Sequence, residues 1–361
     1  MRITTTHILV ILFFQATTLF AGPYRELGIN GYIGPDRRHA PPGDSWAVVN
    51  PIFRGWAAGY RDYLPADDQW SGPWNDPNKA LGPATGDKTD IVSLGDLSLP
   101  EILSGKPPGQ ITLLFDETIH NRQGYDFAVF ENGFVSEDTW ATGSISGQMF
   151  ADLGFVEIST DGIHFARFPT VSLTPTPQNA YPYLTIEISD VYNLAGKHPN
   201  GYNYCTGTPF DLAELADDPL VVSGLVDLSQ IHFIRIVDIP GSGHWRDQAT
   251  ECTDPCSWPD WQSYPSDHPL YDAWETWGSG GLDLEAIGIL HEQEYPADIN
   301  LDGQVDLDDF KLFSRAWLSR FGRPAWIGRC DLDEPKDLVI DLPDLIVFLE
   351  QWLQKEKWRR P

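Results

Sequence analysis

The sequence predicts a mostly β protein, in which a β-sandwich of the jelly-roll kind precedes a small α-helical domain. Three observations carry this prediction. Short apolar or alternating runs recur from residue 111 onward and are separated by turns rich in Gly and Pro. No long segment with the 3.6-residue period of a helix interrupts these runs. After residue 295 the pattern changes, and acidic loops alternate with two amphipathic segments at 307–318 and 342–353.

The predicted strands are short and share high contents of Val, Ile, Leu and aromatic residues. They cover residues 111–115, 125–130, 154–159, 184–188, 231–237 and 282–290. Between the third run and the segment 164–168, Asp161 and Gly162 predict a hairpin turn, because Gly readily takes the positive φ that such turns require. Many short strands joined by long loops favour a sandwich or jelly roll.

The first residues have the features of a secretory signal. Arg2 gives the positive start, residues 8–14 form a short apolar core, and Ala21 precedes the expected cleavage site near Gly22. The apolar core is too short to cross a bilayer, and no other stretch approaches the roughly 20 apolar residues that a membrane helix needs. We therefore expect residues 1–21 to be a signal peptide, no membrane span, and a secreted protein that is extracellular or on the cell surface.

The charge of the chain restricts its partners. The formal net charge is −28, from 52 acidic and 24 basic side chains. A strongly acidic protein repels phosphate groups, so nucleic acid and anionic membranes are not expected partners. Abundant carboxylates suit a protein that collects Ca²⁺ outside the cell.

The four cysteines are Cys205, Cys252, Cys256 and Cys330. An even number in an exported chain predicts disulfides. A local bridge between Cys252 and Cys256 is one pairing, and a bridge from either of them to Cys205 is another. A zinc site is the weaker interpretation, since no second Cys/His pair follows at a suitable spacing.

An acidic segment of twelve residues beginning at Asp298 has the pattern of an EF-hand calcium loop. Gly303 at the sixth position permits the sharp turn, and alternate positions of the loop supply oxygen ligands. The predicted ligands are Asp298, Asn300, Asp302, Gln304 through its carbonyl, Asp306 and Asp309. Asp309 stands where an EF-hand has Glu, and Pro296 precludes an entering helix, so only the exiting helix at 307–318 is predicted.

The same pattern returns 35 residues later, which indicates a duplication. The matched pairs are Asp298 with Asp333, Asp302 with Asp337, Val305 with Ile340, Asp306 with Asp341, Leu307 with Leu342, Asp309 with Asp344, Phe313 with Phe348, Trp317 with Trp352, and Leu318 with Leu353.

This duplicated segment, residues 296–361, resembles the type I dockerin family. In that family two calcium loops each lead into one helix, and the pair docks onto a cohesin or a similar receptor. The resemblance implies a dockerin-like calcium-binding domain whose fold depends on Ca²⁺ and whose partner is a cohesin-like or cell-surface protein. Leu307-Asp308 and Leu342-Pro343 occupy the helix-start positions that set the partner in the family.

The second loop departs from the family pattern. Pro335 replaces the ligand at the third position and Leu338 replaces the turn glycine. Its predicted ligands are Asp333, Asp337 and Asp344, with Asp331 as a substitute for a missing one. Calcium occupancy there is a weaker expectation than at Asp298. A plain structural role for the repeat is the alternative to docking.

Residues 22–295 form the predicted sandwich domain. The segments Asp76–Pro83, Gly124–Asn132 and Ser279–Ile289 resemble bacterial cell-surface domains of the galactose-binding-like and carbohydrate-binding jelly-roll kinds. The resemblance implies binding more than chemistry. Four carboxylates lie in or beside the predicted strands, where burial is costly unless a metal or a partner compensates. They are Asp126, Glu131, Asp238 and Asp283, and we expect a structural calcium to join them; the alternative is that they face solvent or cap turns.

Loop tryptophans are a second candidate site in this domain. Exposed indole rings stack on sugar faces and dominate contact energy. Trp258, Trp261, Trp274 and Trp277 are the candidates for a polysaccharide-binding platform, against the alternative that they pack in the core.

The leading interpretation is a non-catalytic, calcium-binding extracellular protein that recognises carbohydrate or another surface ligand and is attached by its tail. Hydrolytic motifs are missing: there is no G-x-S-x-G, and His291-Glu292 lacks the second histidine of H-E-x-x-H. An extracellular polysaccharide-degrading enzyme delivered by the tail is the second interpretation, since two carboxylates suffice for glycoside cleavage. A structural envelope protein is the third.

Overall fold

The computed structural model describes residues 22–359 except 23, 67–72, 136–147, 180–185, 249–266, 322 and 324. Within these residues the chain is mostly sheet, with four α-helices, so the prediction of a mostly β protein is confirmed. None of the described helices is both long and apolar enough to cross a membrane.

The strands of the described residues are short and spread along the chain. In order they are β1 (Ile29–Asn30), β2 (Tyr32–Ile33), β3 (Val48–Val49), β4 (Phe53–Trp56), β5 (Gly59–Leu64), β6 (Val92–Ser93), β7 (Gln110–Ile119), β8 (Phe127–Glu131), β9 (Phe134–Val135), β10 (Met149–Phe150), β11 (Gly154–Ser159), β12 (Ala166–Arg167), β13 (Val171–Ser172), β14 (Gln178–Asn179), β15 (Val191–Tyr192), β16 (Thr206–Phe210), β17 (Ile231–Asp238), β18 (Ala273–Trp274) and β19 (Asp283–Leu290). The helices are α1 (Leu99–Ser104), α2 (Pro219–Val222), α3 (Leu307–Ala316) and α4 (Leu342–Glu350).

Two larger antiparallel sheets form the β part. The first has the strand order β1-β16-β8-β19-β4, with β6 also paired to β19, and the second has the order β12-β11-β17-β7-β5. Inward side chains of both sheets, such as Phe127 and Ile287 of the first and Val156 and Ile234 of the second, belong to one hydrophobic cluster. The sheets therefore pack on a shared core, whose burial contributes roughly 25 cal/mol per Å² of apolar surface.

The strand predictions agree with the structure for the five runs other than 184–188; of that run, residues 184 and 185 lie outside the described residues. β11 matches the predicted run 154–159, and β7, β17 and β19 contain or nearly match theirs. In the fourth run, Ile186 forms an isolated bridge with Met149, while Ile188 begins a short 3₁₀ helix. β11 and β12 pair antiparallel, and Gly162 in the turn between them has φ +73°, as the Asp-Gly turn predicts.

The C-terminal segment, residues 296–359, has its own hydrophobic cluster between α3 and α4. The rings of Phe313 and Phe348 pack with centroids 5.3 Å apart. Asp306 and Asp341 begin the two helices, each with a reciprocal capping box to the Asp three residues on. Both helices end before the predicted residues 318 and 353: α3 ends at Ala316, ahead of Trp317 with ψ 131°, and α4 ends at Glu350. Farther along, Leu318 and Leu353 have φ +59° and +64°.

The two halves of the C-terminal segment are linked by equivalent backbone hydrogen bonds. Leu318 N donates to Ile340 O at 2.8 Å, and Leu353 N donates to Val305 O at 3.0 Å. Each loop thus pairs with the chain that follows the other half's helix, as a duplicated sequence predicts.

The C-terminal segment packs directly on the β part. Arg37 Nη1 lies 3.3 Å from Asp302 Oδ2, Arg38 Nη2 lies 3.1 Å from Asp308, and the rings of His291 and Trp358 stack with centroids 5.8 Å apart. A cavity of about 610 Å³ lies along this contact and is lined by residues of both parts, among them Tyr192 and Asp331.

Candidate metal centres

The first acidic loop turns sharply around the carboxylate of Asp298. Asp298 is buried, and its two oxygens accept hydrogen bonds from Asp302 N at 3.1 Å and Gly303 N at 2.8 Å. Gly303 has φ +83°, a conformation that favours glycine. Asp309 closes the loop, since it accepts from Asn300 N at 3.0 Å and from Asp306 N at 2.8 Å.

The side chains of the first loop therefore converge from both ends of the twelve residues. Burial raises the pKa of Asp298 well above its usual range, and the neighbouring Asp309 and Asp302 carboxylates raise it further. Burial also raises the pKa of Asp309 to about 7. Concentrated carboxylates disfavour one another's charged forms unless a cation joins them.

Two arginines reach the first loop. Arg37 Nη1 lies within 3.3 Å of Asp302 Oδ2 and 3.8 Å of Asp306 Oδ2, and it donates to Gln304 Oε1 at 3.4 Å. Arg359 Nη1 lies 2.8 Å from Asp302 Oδ1. The side chains of Asp302 and Asp306, two predicted ligands of this loop, therefore already contact a guanidinium group, as does the side chain of Gln304, which was predicted to bind through its backbone carbonyl.

The second loop starts at Asp331, two residues earlier than the 35-residue repeat predicts. Asp331 is buried like Asp298, and its Oδ2 accepts from Leu338 N at 3.2 Å. Leu338 has φ +63° and takes the place of Gly303. Asp344 closes the loop, because it accepts from Asp333 N at 3.1 Å and from Asp341 N at 2.7 Å.

Most of these hydrogen bonds have counterparts in the first loop and align Asp331 with Asp298, although Asp331 Oδ1 lacks the backbone donor that Asp298 Oδ1 has. Asp333 then corresponds to Asn300, which corrects the sequence pairing of Asp333 with Asp298. The second loop has fourteen residues from Asp331 to Asp344, whereas the first loop has twelve. The two extra residues lie in the stretch that contains Glu334-Pro335. Pro335 therefore does not displace the third ligand, since Asp333 supplies it.

Buried oxygens of the second loop lack donors. Asp331 Oδ1, Asp333 Oδ1 and Asp341 Oδ1 have no hydrogen-bond partner. At Asp341 the reason is local: Asp306 Oδ1 accepts from Asp308 N at 2.9 Å, but Pro343 has no N–H at the matching position. Oxygens of Asp331, Asp333 and Asp337 lie within 4.8 Å of one another.

Three of the four carboxylates predicted in the β part lie at strand ends that neighbour one another. Glu131 ends β8, Asp283 begins β19 and Asp238 ends β17, and all three are buried. Asp126 belongs elsewhere: its oxygens accept from Arg122 N at 3.0 Å and Leu212 N at 2.8 Å, which ties two loops together.

Three further buried carboxylates interact electrostatically with this group, and the sequence analysis did not predict them. They are Asp96, Asp152 and Asp272. Each precedes or follows a strand rather than standing inside one, and only the strand pairing brings them together. Asp152, two residues before β11, was the one position next to a correctly predicted strand that could have been found.

Of the predicted tryptophan platform, the described residues include Trp274 and Trp277. Trp274 Nε1 donates to Leu97 O at 3.0 Å, whereas the Trp277 ring is 69% exposed. Trp258, Trp261, Cys252 and Cys256 lie outside the described residues. Cys205 and Cys330 are buried free thiols.

Neither a scan against protein-family models nor a search of curated proteins gives a match to this chain.

Proposed function

We propose that the C-terminal segment is a pair of Ca²⁺-binding loops. The observation that carries this proposal is the second loop, which repeats the hydrogen bonds that close the first loop but leaves buried oxygens of Asp331, Asp333 and Asp341 without donors. A buried, unsatisfied carboxylate oxygen costs free energy unless a cation or water completes its environment.

The donor set favours Ca²⁺ over other metals. Both loops offer only carboxylate, amide and backbone oxygens, and hard oxygens in a flexible loop suit Ca²⁺. The nearest thiol, Cys330, is a buried neighbour of the second loop whose pKa is raised by burial, so it is a poor ligand for Zn²⁺. The ligands of the second loop are Asp331, Asp333, Asp337, the carbonyl of Val339, Asp341 and Asp344, by correspondence with the first loop.

We also propose that the segment attaches the protein to a partner, as the dockerin resemblance implies. Equivalent apolar residues at the starts and ends of the two helices face solvent: Leu307 and Leu342 at the starts, Leu318 and Leu353 at the ends. Leu318 and Leu353 also hold positive φ, which costs about 1 kcal/mol for a residue other than glycine. Exposed leucines kept in a strained conformation support a cohesin-like protein partner.

The broader proposal is an exported, non-catalytic protein whose β part is a jelly-roll sandwich that binds polysaccharide or another surface ligand. The exposed ring of Trp277 beside the half-buried Trp274 supports a sugar-binding face. The pairing of two antiparallel sheets on one core supports the sandwich.

Calcium titration of the chain from residue 22 onward tests the proposal for the second loop. We expect Asp331→Asn to lose one equivalent of bound Ca²⁺ in isothermal titration calorimetry, and to lose part of the rise in Tm that Ca²⁺ gives the wild type. Glu350→Gln is the matched control, because it removes an exposed carboxylate of α4 that touches neither loop. An Asp331→Asn protein that binds as much Ca²⁺ as the control would contradict the proposal.

A further inference from the structure

Six buried carboxylates meet at one end of the two sheets of the β part. Strand register places them there: Asp238 pairs with Gly154 at the start of β11, and Glu131 pairs with Leu284 at the start of β19. We call this group the strand-end cluster; its members are Asp96, Glu131, Asp152, Asp238, Asp272 and Asp283.

Among the described residues, no basic side chain is a main influence on the pKa of these groups. Burial raises the pKa of Asp152, Asp238 and Glu131 most, and the carboxylate with the largest further effect is Asp272 for Asp152, Asp96 for Asp238 and Asp283 for Glu131. Burial raises the pKa of every member, to about 7 for Asp96 and Asp283.

The buried Glu157 shows how this protein balances a charge in the same sheet. Its oxygens accept from Arg167 Nε at 2.8 Å and from Arg235 Nε at 2.6 Å. The strand-end cluster holds more carboxylates at similar burial without such arginines. Several buried carboxylates without a counter-charge cost several kcal/mol unless they take up protons or a cation.

Carboxylates of the cluster accept backbone hydrogen bonds but keep oxygens open. Leu282 N donates to Asp238 Oδ1 at 2.7 Å, whereas Asp238 Oδ2 is buried and has no donor. Leu153 N donates to Asp272 Oδ2 at 2.7 Å. Asp152 Oδ1 and Asp283 Oδ1 are also buried and have no donor.

Glycines let the backbone come close to these oxygens. A Cβ at Gly281 would lie 2.6 Å from both Asp238 Oδ1 and Gly95 O, and a Cβ at Gly196 would lie 2.3 Å from Asp152 O. Both glycines have positive φ. Backbone carbonyls of residues 95 and 152 thus lie beside the carboxylates and add to the available oxygen donors.

We propose that the strand-end cluster binds Ca²⁺ and thereby fastens the ends of the two sheets to each other. Among the described residues, the one trio of carboxylates with oxygens within 4.8 Å of one another is in the C-terminal segment. A cation in the cluster therefore joins two carboxylates at a time and completes its shell with backbone carbonyls and water, which the variable coordination of Ca²⁺ permits. Thr276 N donates to Asp96 Oδ2 at 2.9 Å, so this cation also organises the loop that carries Trp274 and Trp277.

The test counts Ca²⁺ bound to the full chain by equilibrium dialysis and compares variants of separate sites. We expect Asp238→Asn to lose at least one equivalent, to keep the equivalent that Asp331→Asn loses, and to show a smaller rise in Tm on adding Ca²⁺. Asp126→Asn is the matched control, because it changes a buried carboxylate of the same part outside the cluster and is expected to keep the wild-type count.

Two results would overturn the proposal. One is an Asp238→Asn protein with the wild-type calcium count; the other is an Asp238→Asn protein whose Tm rises on adding Ca²⁺ as much as that of the wild type, since protons would then neutralise the cluster. If Asp238→Asn does not fold, the number of Ca²⁺ ions bound by the wild type decides. The C-terminal loops account for about two equivalents. A wild-type count no higher than this rejects calcium binding by the strand-end cluster, and a higher count supports it. If only the proposal for the C-terminal loops is wrong, Asp331→Asn will bind as many Ca²⁺ ions as the wild type.

Discussion

Asp126 is a buried carboxylate that binds no cation in this interpretation, and it gives the clearest pH dependence. Its pKa is raised to about 8, chiefly by burial and also by the nearby Asp211 carboxylate, while two backbone N–H groups and the charge of Arg122 oppose the rise. In the unfolded chain the group titrates near 4. Between these values the folded protein holds a proton that the unfolded chain releases.

A folded-state pKa above the unfolded value means that stability is present at low pH and is lost as the pH rises toward 8. We expect Asp126 alone to lower the free energy of unfolding by up to about 1.4 kcal/mol per pH unit between pH 5 and 7. Asp126→Asn removes the group that binds this proton, so the difference in free energy of unfolding between variant and wild type should change with pH by that slope. Urea denaturation at several pH values measures it, and a parallel pair of curves would show that Asp126 is ionised in the folded protein.

At the scale of elements, β11, β17 and β19 were predictable because apolar residues dominate each run, and every residue of β11 and β19 is buried. The described residues 186–188 of the fourth run were not, since alternation alone does not show that a partner strand is available. The first calcium loop was predictable because every ligand lies within twelve residues. The strand-end cluster was only half predictable, since the loop positions Asp96 and Asp272 meet the strands through tertiary pairing.

The second loop was misaligned for a different reason. A fixed shift of 35 residues aligns the helices and Asp344, but two extra residues near Pro335 displace everything before them. Backbone hydrogen bonds to Asp331 and Asp344 identify the ends of the loop where the sequence pattern does not.

Deletion of Glu334 and Pro335 tests this loop register. It leaves twelve residues from Asp331 to Asp344 and puts Asp331, Asp333 and Asp337 at the first, third and fifth positions, as in the first loop. We expect the deletion variant to fold and to bind Ca²⁺ with at least the wild-type stoichiometry in titration calorimetry. If Asp333 instead began the loop, the deletion would remove its third-position residue and leave too short a loop, and one equivalent would be lost.

At the scale of the whole molecule, the C-terminal segment and the β part share charged contacts at the predicted ligands. Arg37 contacts the side chains of Asp302, Gln304 and Asp306. Its neighbour Arg38 contacts Asp308, which is not a predicted ligand. A guanidinium and Ca²⁺ draw on the same carboxylates of the first loop. Because coupling between two sites is reciprocal, Ca²⁺ in this loop weakens the hold of Arg37 as much as Arg37 weakens Ca²⁺.

We therefore expect Arg37→Ala to raise the Ca²⁺ affinity of the first loop by about 3- to 10-fold, equivalent to about 1 kcal/mol, the upper range for a partly exposed ion pair. Titration calorimetry in an Asp331→Asn background reads the first loop without the second. Arg38→Ala is the control: it removes the same charge from the adjacent position, and salt screening over the longer distance leaves only a small effect. Weaker binding in Arg37→Ala than in Arg38→Ala would mean that Arg37 orders the loop for Ca²⁺, and the β part would then assist calcium binding by its tail instead of competing with it.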